Sequence, residues 1–157
     1  MKGLILNRGE EGYSYFKDIF CEIKELSEKY NWLISYPECC PKSKRLQEKM
    51  NKDFIWVSGM ELKHMLCADN VLWIWGVFSG FSKNILPEDV LKYPLPYADG
   101  YPGFWRNPIT LQHPLAEIEL VAWDSCCTLF ISKDDTIIKK VSIIYPLAED
   151  LVTYNEK

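Results

Sequence analysis

The chain has 157 residues, enough for one domain with its own core and short for two. Hydrophobic residues make up 48% and charged residues 25%, the ordinary balance of a globular chain, which excludes disordered, collagen-like and coiled-coil polypeptides. Eighteen Lys+Arg against 22 Asp+Glu give a net charge of −4, which argues against nucleic-acid binding as the main role, and aromatic residues stand out at 14%.

Residues 3–7 read as an opening strand. From residue 11 to 30, Phe16, Ile19, Phe20, Ile23, Leu26 and Tyr30 recur at i, i+3, i+4, i+7 intervals with Glu and Lys between them, which predicts an amphipathic helix. Residues 31–36 are strand-like and end at Pro37, with Cys39-Cys40-Pro41 as a loop. The charged run 42–51 reads as a short helix or a solvated connector. Residues 53–58 predict a strand and 59–69 a short helix. Residues 71–81 (V-L-W-I-W-G-V-F-S-G-F) are apolar on both alternating faces, which marks a central strand covered on both sides but leaves the faces of Trp73 and Trp75 open. Pro87 opens a turn of helix through residue 91.

Residues 93–114 change texture. They hold five of the nine prolines, two glycines and the rings of Tyr93, Tyr97, Tyr101, Phe104 and Trp105. Proline fixes φ and lacks a donor, so this is a long irregular loop. Residues 116–123 and 127–132 predict a hairpin about Asp124-Ser125. Asp134 or Asp135 can cap a helix carrying Ile137, Ile138, Val141 and Ile144, with a strand as the alternative because of the β-branched content. Residues 146–154 predict a last short helix. The fold class is therefore α+β: one globular domain over residues 1–157, a mostly antiparallel sheet of about five strands, and helices on at least one face.

No stretch approaches the roughly 20 apolar residues that span a bilayer, and the start carries only three strong apolar residues before Asn7, too few for a signal-peptide core. A cytoplasmic location without membrane association, and with reduced thiols, is the expectation. The six cysteines (Cys21, Cys39, Cys40, Cys67, Cys126, Cys127) contain no C-x-x-C. His64-x-x-Cys67 can place two ligands on one helix face, but two histidines in the chain leave little to complete a metal site. Cys21 falls away from the apolar stripe of its helix and is expected to be exposed.

Phosphate-cradling motifs are absent, and Gly9-Glu10-Glu11-Gly12 puts acids where a phosphate would sit. A cysteine nucleophile, Cys126 or Cys127, with His113 as base and Asp124 as orienting carboxylate is conceivable, as in a small cysteine-dependent hydrolase. Glu117 and Glu119 share a strand face, a geometry open to paired-carboxylate chemistry but commoner on the wet face of an edge strand. A small-ligand module lined by Trp73, Trp75 and the loop is a further alternative. The stronger lead is a surface property. Residues 1–78 carry 11 basic and 11 acidic residues, whereas residues 79–157 carry 7 and 11, so the net charge lies in the second half. The 93–114 loop offers Tyr97, Tyr101, Phe104 and Trp105 as interface anchors, with Asp99 among them and Glu88 and Asp89 as steering charges. The alternative for the loop is a stiffened flap over an open sheet edge.

The start Met1-Lys2-Gly3-Leu4, the segment Tyr30-Asn31-Trp32, and Leu120-Val121-Ala122-Trp123-Asp124-Ser125 leading to Ser132-Lys133-Asp134 resemble small bacterial proteins of unassigned function. In size, acidity and aromatic content the chain is also similar to the cytosolic immunity proteins that accompany polymorphic and contact-dependent toxins. That resemblance implies a non-catalytic inhibitor without cofactor or metal, whose partner is a cognate toxin domain such as a basic nuclease.

Overall fold

A computed structural model describes residues 1–9 and 14–157. The chain forms a single α+β fold around one antiparallel sheet. Its strands are β1 (Lys2–Leu6), β2 (Tyr30–Cys40), β3 (Phe54–Ser58), β4 (Leu72–Ser82), β5 (Ile118–Trp123), β6 (Cys127–Ser132) and β7 (Glu149–Asp150). The order is β3-β2-β4-β5-β6-β1-β7. The sheet thus has seven strands where about five were expected. Its far edge, β7, is a two-residue pairing of Glu149 and Asp150 with Ile5 and Leu4, too short to leave a period-2 signal inside the segment read as a last helix. Only α7 (Leu151–Tyr154) is helical there.

One face of the sheet is covered by helices: α1 (Lys17–Glu22), α2 (Glu25–Glu28), α3 (Lys44–Met50), α4 (Gly59–Ala68) and α6 (Asp135–Ile144). The expected single helix over 11–30 is two short ones, and its first residues, like most of Gly9-Glu10-Glu11-Gly12, lie outside the described residues. The chain leaves helical geometry at Ile23 (φ −107°, ψ 88°), so Leu26 and then Tyr30, already in β2, reach the same core as Phe16 and Phe20. Ser58 caps α4 in a capping box with Glu61, satisfying orphan donors at both positions. Gly59 is required there, because a Cβ would sit 2.5 Å from Ser27 O and 2.7 Å from Tyr30 O. Asp134 caps α6 by accepting from Thr136 N–H at 2.8 Å.

β4 is central, between β2 and β5, and buries Phe78 on the helical side and Val77 on the other. Its pairing with β2 is irregular. Cα partners pass from Ser35↔Val77 to Glu38↔Trp75, then to Cys39↔Trp73, skipping Ile74. That bulge rotates the strand, so Trp73 is buried under the helices while Trp75 faces the opposite side, although i and i+2 normally share a face. Pro37 does not end β2. It falls between the paired residues at the first bulge, where its missing N–H breaks no ladder bond. β2 therefore continues through Cys40, and the expected loop at Cys39-Cys40 is strand.

The second face is covered by the 93–114 loop, by α5 (Pro87–Val90) and by α7. Ala98, Phe104 and Ile109 of the loop pack on Ile5, Val77, Val121, Leu129 and Ile131 of the sheet. The loop is a flap over a sheet face and not over an edge, giving three layers of helices, sheet and flap. The β5–β6 hairpin turns at Asp124 and Ser125, both left-handed (φ +48° and +49°), with Cys126 N–H donating to Trp123 O at 3.0 Å.

Candidate functional site

The flap is held to the sheet by one buried carboxylate. Glu119 on β5 is fully buried and accepts from Gln112 N–H at 2.7 Å, His113 N–H at 2.9 Å and Ser79 Oγ–H at 3.1 Å. Burial pushes its pKa up to about 7, against the pull of the three donors and of Lys133. Because β5 is an interior strand, Glu119 is not on a wet edge face, and the half-exposed Glu117 does not share its environment. The Gln112 side chain in turn brackets Tyr97, accepting from its N–H and donating to its carbonyl at 3.2 Å. A chain of hydrogen bonds thus runs from the sheet to the backbone of Tyr97.

The ring of Tyr97 stands at a cleft of about 600 Å³ lined by Tyr36, Glu38, Trp75, Leu95, Tyr97 and Asp99, with Pro94 and Ala98. Both bulges of the β2–β4 pair contribute to it. Tyr36 adopts φ +45°, an uncommon conformation for an aromatic residue, and opposite it Gly76 takes φ +148°. Tyr36 and Tyr97 are each 45% exposed. Trp75 is half-buried and rests edge-on against Trp123 (centroids 5.2 Å), which meets Trp105 edge-on at 4.9 Å. Tyr97 is likewise backed by Tyr101 at 5.3 Å, and Tyr101 by Phe104 at 4.7 Å. Trp75 and Tyr97 are therefore each backed by further rings. Glu38 and Asp99 are exposed, and among the described residues neither forms an ion pair. Aromatic faces beside unpaired carboxylates suit a cation: an arginine or lysine side chain, or an organic ammonium.

The predicted anchors separate into groups. Tyr97 and Asp99 line the cleft. Tyr101 and Trp105 are half-buried behind it, and Trp105 also packs on Tyr154. Phe104 is fully buried in the core and cannot act as a surface anchor. Glu88 and Asp89 lie on α5 and do not line the cleft, and Asp89 is paired with Lys92 at 2.7 Å. Trp75, a candidate only for a small-ligand pocket, also lines the cleft, and Tyr36 and Glu38 join it without any sequence expectation. Gly76 inside an apolar strand was the available signal, since such a glycine commonly marks a bulge.

No protein-family model, curated protein or solved structure matches the chain. Function therefore rests on the geometry of this molecule.

The cysteine–histidine arrangement is not assembled. Both ring nitrogens of His113 face backbone groups: Nε2 meets Val90 O at 3.1 Å, and Nδ1 accepts from Leu115 N–H at 3.2 Å. The ring is buried between Phe81 and Tyr93, and burial lowers its pKa. Cys127 is buried in the flap-side core with its pKa pushed up to about 12, again by burial. Cys126 donates its thiol to Trp123 O at 3.2 Å. Iodoacetamide at neutral pH should leave Cys127 unmodified in the folded protein while labelling it in urea, read by peptide mass mapping. Rapid labelling of folded Cys127 would show an accessible thiolate and restore the nucleophile reading. Trp73 and Trp75 lie on opposite faces, so a pocket lined by both does not exist, although Trp75 and the flap do share the cleft. Among the described residues no group of three or more His, Cys, Asp and Glu could hold a metal ion, and no helix is long and apolar enough to cross a membrane.

Proposed function

We propose that the chain is a non-catalytic protein-binding domain of the immunity type, which neutralises a toxin domain by receiving a cationic side chain of that partner in the cleft between Tyr36, Trp75 and Tyr97. The observation that carries this reading is the meeting of the exposed Tyr36 and Tyr97 and the half-buried Trp75 with two carboxylates that form no ion pair among the described residues. Such a site is stable but electrostatically incomplete. A basic partner, such as a nuclease domain, would be steered by the acidic second half of the chain, and the desolvated rings would slow its release. A cytoplasmic location belongs to the same proposal.

The test uses the chain as bait in extracts of its native host, alongside the double variant Glu38→Gln/Asp99→Asn. The expected result is a basic protein retained in stoichiometric amount by the wild type and lost by the variant. Equal retention by both baits would remove the cleft from the interface, and the absence of any protein partner would contradict the binding-domain reading. A second reading, a module for a small organic cation, rests on the same cleft and on its volume. Retention of an amine metabolite, with no protein, would select it.

A further inference from the structure

The helical face carries a second feature that the flap-side cleft does not explain. Cys21 near the end of α1 and Cys67 near the end of α4 are both exposed, and their sulfurs lie 2.7 Å apart. The two residues are 46 positions apart in sequence, and only the packing of α1 on α4 brings them together. A disulfide bond has S–S of about 2.05 Å, so the thiols need only a small further approach to bond. The other exposed cysteines, Cys40 and Cys126, each lie beside a cysteine adjacent in sequence. Cys21 is exposed, as its place off the apolar stripe predicts, while Cys67, a candidate metal partner of His64, lies against Cys21.

We infer that Cys21 and Cys67 form a reversible redox dithiol, a covalent modification site that cross-links α1 to α4 when the chain meets a small-molecule disulfide oxidant. One thiolate attacks a sulfur of the oxidant and expels the first of its two thiolates, leaving a mixed disulfide on the chain. The other cysteine thiolate then attacks the protein sulfur of that mixed disulfide and expels the second. The two protein thiols lose two protons and two electrons, and the oxidant gains them as two free thiols. Burial and the neighbouring thiol raise the pKa of Cys21 to about 11, so little of it is thiolate at neutral pH and its own attack on an oxidant is slow. The closed loop runs from the end of α1 through α2, β2, α3 and β3 to the end of α4.

The experiment incubates the full chain with oxidised glutathione and maps it without reduction by mass spectrometry, in parallel with Cys21→Ser and Cys67→Ser. The expected product is a monomer two hydrogens lighter, carrying one Cys21–Cys67 peptide link, absent from both variants and reversed by dithiothreitol. Its thermal midpoint should rise by about 10 °C, because a link closing a loop of this length restricts the unfolded chain. Glutathione adducts on separate cysteines, or a link between any other pair, would overturn the inference. So would a Cys21–Cys67 link that lowers the midpoint, since it would show that the helices must be pulled from their native positions to bond.

Discussion

Phe104→Ala is expected to lower the unfolding free energy by about 4 kcal/mol, the usual range for emptying a fully buried aromatic site. Phe104 has no exposed surface and lies in the cluster formed by Ile5, Val77, Val121 and Leu129. Its surroundings cannot collapse to fill the space. The sheet beneath is held by ladders on both sides, and Tyr101 rests edge-on against the ring from above. The backbone is also tied, since Asn155 Nδ2–H donates to Phe104 O at 3.0 Å, linking flap to α7. A chain of this size typically has 5–15 kcal/mol of total stability, so the loss should be plain as a lower urea midpoint with little change in slope. A loss below about 1 kcal/mol would mean that the flap is not part of the packed core.

The second large effect is expected at Glu119. Glu119→Ala removes the acceptor for Gln112 N–H, His113 N–H and Ser79 Oγ–H at once, and the cost should be about 3 kcal/mol, since buried donors are left without partners. The pH dependence is a sharper signature. With a folded pKa of about 7 against an ordinary 4.5, the carboxyl holds its proton more tightly in the folded chain. Its contribution is therefore full below pH 4.5 and is lost as the pH rises through 7. His113, with its pKa lowered by burial, acts in the opposite sense, so the informative quantity is the difference between wild type and Glu119→Gln, which share His113. The advantage of the wild type should shrink by about 2 kcal/mol between pH 5.5 and pH 8. An advantage that grows with pH would show instead that the three donors hold the group ionised.

Much of the fold can be read from local pattern. The doubly apolar run over 71–81 is central, with Val77 and Phe78 of β4 buried on opposite faces, and Asp124-Ser125 turns a hairpin as its position between two strand-like runs suggests. Asp134 caps α6 as its place before an apolar periodicity predicts. What period alone could not carry is the bulge at Ile74, which sends Trp73 and Trp75 to opposite faces. Nor could it show that β2 continues past Pro37, and that omission hid Tyr36 and Glu38. Glu119 reads as a wet residue because a carboxylate in a strand usually is one. Its burial depends on backbone donors from a loop with no period of its own. The proximity of Cys21 and Cys67 is likewise tertiary, set by how α1 packs on α4. Of the anchors predicted in the loop, the cleft keeps Tyr97 and Asp99, while Phe104 belongs to the core.

The most direct test of the proposed cation-binding cleft is a titration of the full chain with an arginine-rich peptide, followed by tryptophan fluorescence and by calorimetry at low and physiological salt. Three proteins are compared: the wild type, Glu38→Gln/Asp99→Asn, and Asp18→Asn/Glu22→Gln, which changes net charge equally on the opposite, helical face. Saturable binding is expected for the wild type and for the helical-face variant, with at least about a tenfold loss for the cleft variant, as removing two charged hydrogen-bond acceptors implies. Equal weakening in the two variants would show attraction to net charge alone and would contradict the cleft as a binding site.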